Sequence, residues 1–135
     1  MEGLLHPVSI GNLKLDGNVF LAPLAGYTDK IFRSICLRHG ADLAYTEMVS
    51  SEGVARDSEK TVMLMERGEG ERNLAVQLFM PDADTAKRSI PGVMAYNPAM
   101  IDINAGCPVP KVVKTGAGSA LLKDPKKIRE IVSTI

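Results

Sequence analysis

The fold is decided by Met100-Ile101-Asp102-Ile103-Asn104-Ala105-Gly106-Cys107-Pro108, residues 100–108 of the chain. The first half of this stretch is a short apolar run typical of a buried strand. The second half is a loop in which Gly106 and Pro108 flank a cysteine. In parallel α/β folds, ligands collect where strands end, so a cysteine at this position favours a functional residue over a packing residue. Cys107 is therefore the main candidate for catalysis.

Three earlier apolar runs, at residues 18–22, 43–46 and 74–79, also predict strands. Helical segments alternate with them, and a polar insert occupies residues 52–72. The resulting order, β-α-β-insert-β-α-β-loop-α, calls for parallel strands joined by right-handed crossovers. We therefore expect an α/β fold with about four parallel strands and helices, in one domain over residues 1–135.

Helix boundaries follow from capping residues. Thr28 is predicted to cap the first helix, with Asp29 in its first turn, and Gly40 to end it. A second helix is expected from residues 82 to 90, after which Pro91 should kink or split it because proline lacks a backbone donor. The first helix carries an apolar stripe that is expected to face the core, formed by Ile31, Phe32, Ile35 and Cys36.

The last helix is predicted to begin at Asp124-Pro125, a capping side chain followed by proline at the first helical position. Its apolar stripe, Ile128, Ile131, Val132 and Ile135, runs to the final residue without a glycine or a basic last turn. We therefore expect the chain to stop within an element of a larger domain.

Composition and charge exclude several classes of protein. The net charge is zero, and no apolar run approaches the roughly 20 residues that span a bilayer. The N-terminus lacks the basic start of a signal peptide, so a cytoplasmic protein without a membrane partner is expected. The chain has two cysteines and no Cys/His spacing typical of zinc, so no metal is expected.

Charge is spread unevenly along the chain. Residues 108–135 hold six basic and two acidic side chains, a net of +4, so residues 1–107 carry −4. Such a tract is most often a solvated face, and contact with nucleic acid is the alternative.

Three further segments should meet Cys107 at the carboxyl ends of the strands. They are Pro23-Leu24-Ala25-Gly26, Glu47-Met48 and Gln77. The first can expose backbone to a flat ring, although a plain tight turn has the same pattern. Gln77 carries a donor and an acceptor suited to the edge of a flavin or a pyrimidine, and a buried glutamine that satisfies backbone groups is equally consistent.

Several of these stretches resemble tRNA-dihydrouridine synthases of the bacterial branch. They are Leu21-Ala-Pro-Leu-Ala-Gly-Tyr-Thr-Asp29, Glu47-Met-Val-Ser50, Asp102-Ile-Asn-Ala-Gly-Cys-Pro108, Lys111-Val-Val-Lys114 and Gly116-Ala-Gly-Ser-Ala-Leu-Leu122. The resemblance covers roughly residues 15–135. It implies a TIM barrel with FMN across its mouth, followed by a helical tRNA-binding domain, and an NADPH-dependent reduction of uridine in tRNA to 5,6-dihydrouridine.

The resemblance also implies roles for individual residues. Cys107 would be the catalytic acid, and Asn104 would contact the flavin or the target uracil. FMN would be bound by Pro23, Leu24, Ala25 and Gln77. The tRNA backbone would be met by the lysines that follow the cysteine, Lys111, Lys114 and Lys123.

A TIM barrel typically needs about 250 residues, and this chain supplies four of the eight strands. In the family, the later strands carry an essential lysine and the site for the flavin phosphate. We therefore expect this chain alone to bind FMN weakly or not at all and to be inactive. Its open sheet edges should be covered either by self-association or by the insert at residues 50–72. Two alternatives stay open: a dihydroorotate dehydrogenase-like FMN oxidoreductase and a non-catalytic half-barrel module.

Overall fold

The computed structural model describes residues 3–135 and contains a main sheet, an N-terminal hairpin and an outer layer of helices. The hairpin is antiparallel and consists of β1 (Val8–Ile10) and β2 (Leu13–Leu15). The main sheet is parallel and consists of β3 (Phe20–Leu21), β4 (Leu43–Tyr45), β5 (Val49–Ser50), β6 (Leu74–Phe79) and β7 (Met100–Ile103). The predicted parallel α/β architecture is confirmed, whereas the hairpin was not predicted.

The helices follow the strands in alternation. They are α1 (Lys30–Arg38), α2 (Ser51–Ala55), α3 (Glu59–Val62), α4 (Ala83–Met94), α5 (Pro110–Val113) and α6 (Pro125–Thr134), with 3₁₀ helices at Met63–Met65 and Gly118–Lys123. As predicted, Asp124 caps α6, since its side chain accepts a hydrogen bond from the backbone N–H of Lys127 at 3.2 Å.

The strand neighbours in the main sheet follow one another in sequence. β4 and β5 pair with the same edge of β6, opposite β7, so they are two parts of one interrupted strand. Thr46 bridges the interruption. Its backbone N–H donates to the carbonyl of Ala75 at 2.9 Å, and its hydroxyl oxygen accepts from the backbone N–H of Gln77 at 3.1 Å. A side-chain oxygen therefore continues the ladder where the backbone of the strand leaves it.

The two faces of the sheet have different neighbours. The outer face packs under the helices, where the core includes Leu74, Val76, Leu78, Ala86, Val93 and Ile131. The inner face contacts the hairpin, since Leu15 packs with Leu43 and Ala75. Because successive strand residues alternate between faces, Gln77 shares the inner face with Ala75, and Asp102 shares it with Met100.

The predicted cap of α1 was wrong by one residue. Asp29 is the cap, and its carboxylate accepts from the backbone N–H groups of Ile31 and Phe32 at 3.0 and 2.8 Å. The buried hydroxyl of Thr28 is used in the preceding turn instead. It accepts from the N–H of Leu24 at 3.1 Å and donates to the carbonyl of the same residue at 3.2 Å.

The expected inward face of α1 was also wrong, because Ile31, Phe32 and Ile35 are exposed. The helix buries Arg33 and Ser34. In α6, the predicted apolar stripe is divided: Ile131 is buried, whereas Val132 and Ile135 are exposed.

A buried ion pair explains the orientation of α1. Arg33 and Glu71 have fully buried side chains, and Nε of the arginine lies 2.7 Å from Oε1 of the glutamate. The guanidinium also donates to the carbonyl oxygens of Thr28 and Glu66, at 2.8 and 2.7 Å. The backbone N–H of Gly68 donates to Glu71 at 2.8 Å. These five residues are called the Arg33 cluster below. A buried charge requires partners of this kind.

The predicted break at Pro91 is absent, and α4 continues through it to Met94. Pro91 lies on the exposed side of the helix with Lys87, whose carbonyl loses an intrahelical donor and can bond to water. Gly92 has a packing role. A Cβ on this residue would lie 2.7 Å from Cγ1 of Val54, so its absence permits the close approach of α4 to α2.

The outer edge of β7 borders an apolar groove of about 360 Å³, lined by Ile101, Asp102, Ile103, Ala105, Ile128, Val132 and Ile135. Self-association through this edge stays a prediction. Among residues 3–135, none of the helices is long and apolar enough to cross a bilayer.

Candidate active site

The turn after β3 lies at the carboxyl edge of the sheet and is tied to the loop after β4. The backbone N–H of Gly26 donates to a carboxylate oxygen of Glu47 at 2.5 Å. Gly26 has a positive φ of 80°, and a Cβ on it would meet nothing within 4 Å. Leu24 and Ala25 are exposed, and Pro23 is half-buried. The turn therefore presents apolar side chains and exposed backbone to open space.

A chain of side-chain hydrogen bonds links β6, β7 and the cysteine loop. Nε2 of Gln77 donates to Oδ2 of Asp102 at 2.6 Å, and its Oε1 accepts from Nδ2 of Asn104 at 3.0 Å. Oδ1 of Asn104 accepts from the backbone N–H groups of Cys107 and Gly106, at 2.9 and 3.3 Å. These residues are called the amide chain below. It joins three of the residues predicted for the site: Gln77, Asn104 and Cys107.

The cysteine loop rests on the 3₁₀ helix that follows it. The carbonyl of Cys107 accepts from the backbone N–H of Ser119 at 3.0 Å. Gly118, with a φ of 61°, approaches so closely that a Cβ would lie 2.6 Å from that carbonyl oxygen. Cys107 itself is half-buried, and a Cβ on Gly106 would meet nothing within 4 Å. The thiol-bearing residue is thus held by its backbone beside open space.

Asp102 gives the inner face of the sheet a negative charge. None of the ion pairs among residues 3–135 includes this carboxylate. Burial, followed by the charge of Asp102, raises the pKa of Tyr45 above its ordinary value. The effect follows because both conditions disfavour a second negative charge.

The structure brings none of the three predicted lysines into the amide chain. Lys123 is exposed at the end of the 3₁₀ helix Gly118–Lys123. Lys111 lies in α5 and lines a cavity of about 550 Å³ between the ends of β5 and β6, together with Ser50, Glu52, Phe79, Pro81, Val112 and Thr115. Lys114 is exposed at the end of α5. Both lysines follow the cysteine loop directly and are open to solvent.

Sequence reasoning missed Asp102 and Thr46 as residues that shape the site. The signal for Asp102 is period-two alternation, because it stands two residues before Asn104 and therefore shares its face. Thr46 has no comparable signal, since its bond to Gln77 depends on the register of two strands. Among residues 3–135, no group of three or more His, Cys, Asp or Glu side chains could hold a metal ion.

Fold and site together define part of a (β/α)₈ barrel with a polar mouth at the carboxyl ends of its strands. The model of the family "Dihydrouridine synthase (Dus)" matches residues 20–135. The chain therefore belongs to the dihydrouridine synthase family, which confirms the predicted family and the partial TIM-barrel fold.

Relatives show the same family membership. A probable tRNA-dihydrouridine synthase of Treponema pallidum is 49% identical over 138 residues, which cover 99% of this chain and 40% of the relative. The tRNA-dihydrouridine synthase B of Vibrio parahaemolyticus is 41% identical, with 95% and 40% covered. That of Shewanella oneidensis is 36% identical, with the same coverage. The chain thus spans about 40% of the length of these relatives.

Proposed function

We propose that the protein carrying this chain reduces uridine in tRNA to 5,6-dihydrouridine, with FMN as its cofactor and NADPH as its electron donor. The observation that carries this proposal is the placement of Cys107. Its backbone N–H is held by Asn104 at 2.9 Å, next to open space at Gly106. The names of the relatives from Treponema, Vibrio and Shewanella, all tRNA-dihydrouridine synthases, support the same substrate.

The residues of the mouth fit a flavin. Gln77 and Asn104 each use one N–H of the side-chain amide within the amide chain, so each keeps a second N–H for a ligand. A flavin presents carbonyl oxygens along its pyrimidine edge, which are acceptors for such donors. Pro23, Leu24 and Ala25 would contact the flat face of the ring, because the turn offers small groups and exposed backbone. When bound, FMN supplies the hydride that reaches C6 of the uracil ring.

Cys107 would complete the reduction by giving its thiol proton to C5 of the uracil. A positioned general acid of this kind contributes about 10²–10⁴-fold to a rate. Asn104 supports this role because its side chain holds two successive backbone N–H groups, those of Gly106 and Cys107. The thiol can then point into the mouth while its main chain stays in place.

Binding of tRNA would involve the lysines beyond the cysteine. The target uridine must leave its base stack to reach the mouth, as bases do in other enzymes that act on them. Lys111 is exposed on α5 and Lys114 is exposed at its end, shortly after the cysteine loop. Contacts of such side chains with phosphate groups give affinity that decreases with salt.

The test replaces Cys107 by alanine in the protein at its full natural length. We expect dihydrouridine formation in unmodified tRNA to fall by about 10²–10⁴-fold, since the proton donor is removed. Mass spectrometry of the tRNA nucleosides measures the product, and visible absorbance measures bound flavin, which should not change.

The matched control is Cys36→Ala, which removes the other thiol from α1 and should leave the rate unaltered. A wild-type rate in Cys107→Ala would remove the cysteine from the reaction. Absence of dihydrouridine with the wild-type protein would overturn the proposed function.

A further inference from the structure

We infer that Asp102 is a positioning residue that determines which way the amide groups of Gln77 and Asn104 point. Through them it holds the loop of Cys107 and leaves N–H donors facing the ligand. The inference assigns a role to Asp102, which the proposed function does not use, and it rests on that function only for the identity of the ligand.

Each end of the amide chain has a fixed hydrogen-bonding role, because one end can only accept and the other can only donate. The carboxylate of Asp102 accepts hydrogen bonds, and the backbone N–H groups of Cys107 and Gly106 donate them. Between these ends lie two side-chain amides, each of which could in principle be turned by 180°. The chemistry of the ends therefore selects one orientation for both amides.

Each link is consistent with that orientation. Asp102 accepts at 2.6 Å, so Gln77 must turn its NH₂ group toward β7. Its oxygen then faces Asn104, which donates to it at 3.0 Å. The oxygen of Asn104 is left for the cysteine loop, and it accepts at 2.9 and 3.3 Å.

A reversed Gln77 would disrupt both of its own links. Its oxygen would face the carboxylate of Asp102, and its NH₂ group would face the NH₂ group of Asn104. Reversal of Asn104 as well would place a donor against the backbone N–H of Cys107. A donor facing a donor, or an acceptor facing an acceptor, leaves buried polar groups unsatisfied, which costs about 1–3 kcal/mol for each group.

The N–H groups that the amide chain leaves unused are available to a ligand. One N–H of Gln77 and one N–H of Asn104 are unused, so the mouth offers two donors. These match the imide edge of a flavin or of uracil, where carbonyl oxygens accept. They do not match the exocyclic amino group of cytosine, which donates. Asp102 thus favours a carbonyl-bearing ring through residues that lie between it and the ligand.

The test uses Asp102→Asn in the full-length protein, because asparagine keeps the shape and removes the charge. Gln77 then loses a partner that can only accept, because the introduced asparagine can turn either its oxygen or its NH₂ group toward it. Asn104 in turn loses a partner of fixed orientation. We expect backbone hydrogen exchange at Gly106 and Cys107 to become about tenfold faster, since the oxygen of Asn104 protects both groups. Mass spectrometry of a peptide spanning residues 104–108 measures this without flavin or tRNA.

The double variant Gln77→Glu with Asp102→Asn provides the rescue. The asparagine introduced at position 102 can donate to the glutamate introduced at position 77, whose other oxygen still accepts from Asn104. Hydrogen exchange at residues 104–108 should return to the wild-type rate. Dihydrouridine formation should stay reduced by about tenfold or more, because the introduced carboxylate has no N–H to offer the ligand. Restored hydrogen exchange with reduced dihydrouridine formation would show that the ligand uses the N–H of residue 77, in addition to the geometry of the cysteine loop.

The arms of the experiment also identify the ligand that uses the donors. If the dissociation constant for FMN is larger in the double variant, the two N–H donors contact the flavin. If FMN binding is unchanged and the KM or kcat for tRNA changes, the donors contact uracil. The control is Asp84→Asn, a carboxylate on the exposed side of α4 that should change none of these quantities.

Unchanged hydrogen exchange in Asp102→Asn, or failure of the double variant to restore it, would overturn the inference. If Asp102→Asn does not fold, the double variant decides alone, since its restored pair should fold. A wild-type protein that forms no dihydrouridine would overturn the proposed function while leaving the hydrogen-exchange result valid.

Discussion

The Arg33 cluster and the amide chain are both polar networks within the fold, and they differ in how completely they are satisfied. In the Arg33 cluster, opposite charges meet, and each guanidinium nitrogen and carboxylate oxygen has a partner within the chain. In the amide chain, the charge of Asp102 has no cationic partner among residues 3–135, and two amide groups keep unused N–H donors.

That difference separates a structural network from a candidate site. A saturated network lies away from solvent and can bind nothing further, so its contribution is to stability. An unsaturated network at the carboxyl ends of strands can complete its bonds with water or with a ligand that displaces the water. The number of unused donors and acceptors therefore distinguishes the two networks better than their burial does.

The largest expected effect tests the Arg33 cluster. Replacing Arg33 by methionine leaves the charge of Glu71 buried and unpaired, so the free energy of unfolding should fall by about 3–5 kcal/mol. Denaturant unfolding of the full-length protein measures it. The control is Arg33→Met with Glu71→Leu, which removes both charges and should lose less than the single variant. A loss below about 1 kcal/mol in Arg33→Met would contradict the comparison.

A smaller effect is expected where the cysteine loop meets Gly118. Gly118→Ala combines a left-handed φ of 61° with a contact at 2.6 Å from the carbonyl of Cys107. The left-handed φ should lower the free energy of unfolding by about 1–2 kcal/mol, and displacement of the Cys107 carbonyl should lower it by about 1–3 kcal/mol more. Product formation should also fall, because the cysteine moves.

Gly70→Ala is the matched control for that variant. Gly70 lies in the turn beside Glu71 with a φ of 72°, and its Cβ would meet nothing within 4 Å. Gly70→Ala should lower the free energy of unfolding only by the cost of the left-handed φ, about 1–2 kcal/mol, and should leave the rate of product formation unchanged. Equal losses of stability in the two alanine variants would show that the contact with Cys107 has no consequence.

The smallest expected effect is a change in pH dependence near the amide chain. The pKa of Tyr45 is raised in the folded protein, so the stability linked to this group is complete below the pKa of the unfolded chain. It is lost as pH rises through the folded value. Asp102→Asn removes one of the two causes, so Tyr45 should titrate at lower pH. Ultraviolet titration of the phenol measures this, with Tyr45→Phe to assign the signal. An unchanged titration would show that the charge of Asp102 does not reach the ring.

The order of strands and the position of Cys107, Gln77 and Asn104 at one edge were predictable from apolar runs and strand ends. These features depend on short segments of sequence, which local apolar runs identify. The orientation of α1 was not predictable in this way. Its apolar side chains point outward because Arg33 is paired by Glu71, thirty-eight residues later in the chain. A local pattern contains no information about so distant a partner.

The continuity of α4 and the interruption between β4 and β5 were not predictable for related reasons. Pro91 predicts a break because its missing N–H leaves the carbonyl of Lys87 without an intrahelical donor. That carbonyl lies on the exposed side of the helix, where water can replace the donor, and the helix continues. Thr46 replaces a backbone acceptor with its hydroxyl, and that substitution is visible only once β6 is in register beside it.

The sequential strand order has a consequence for the way the protein is made. Each strand of the main sheet can dock onto a neighbour that has already left the ribosome, which favours assembly from the N-terminus. From Phe20 to Ile103, synthesis takes roughly 4–17 s at about 5–20 residues per second. Gln77 therefore emerges before the partners that orient its side chain. The cysteine loop can acquire its geometry only when β7 joins β6. The loop of Cys107 is therefore the last part of this segment to be shaped, and it is formed on a scaffold that is already folded.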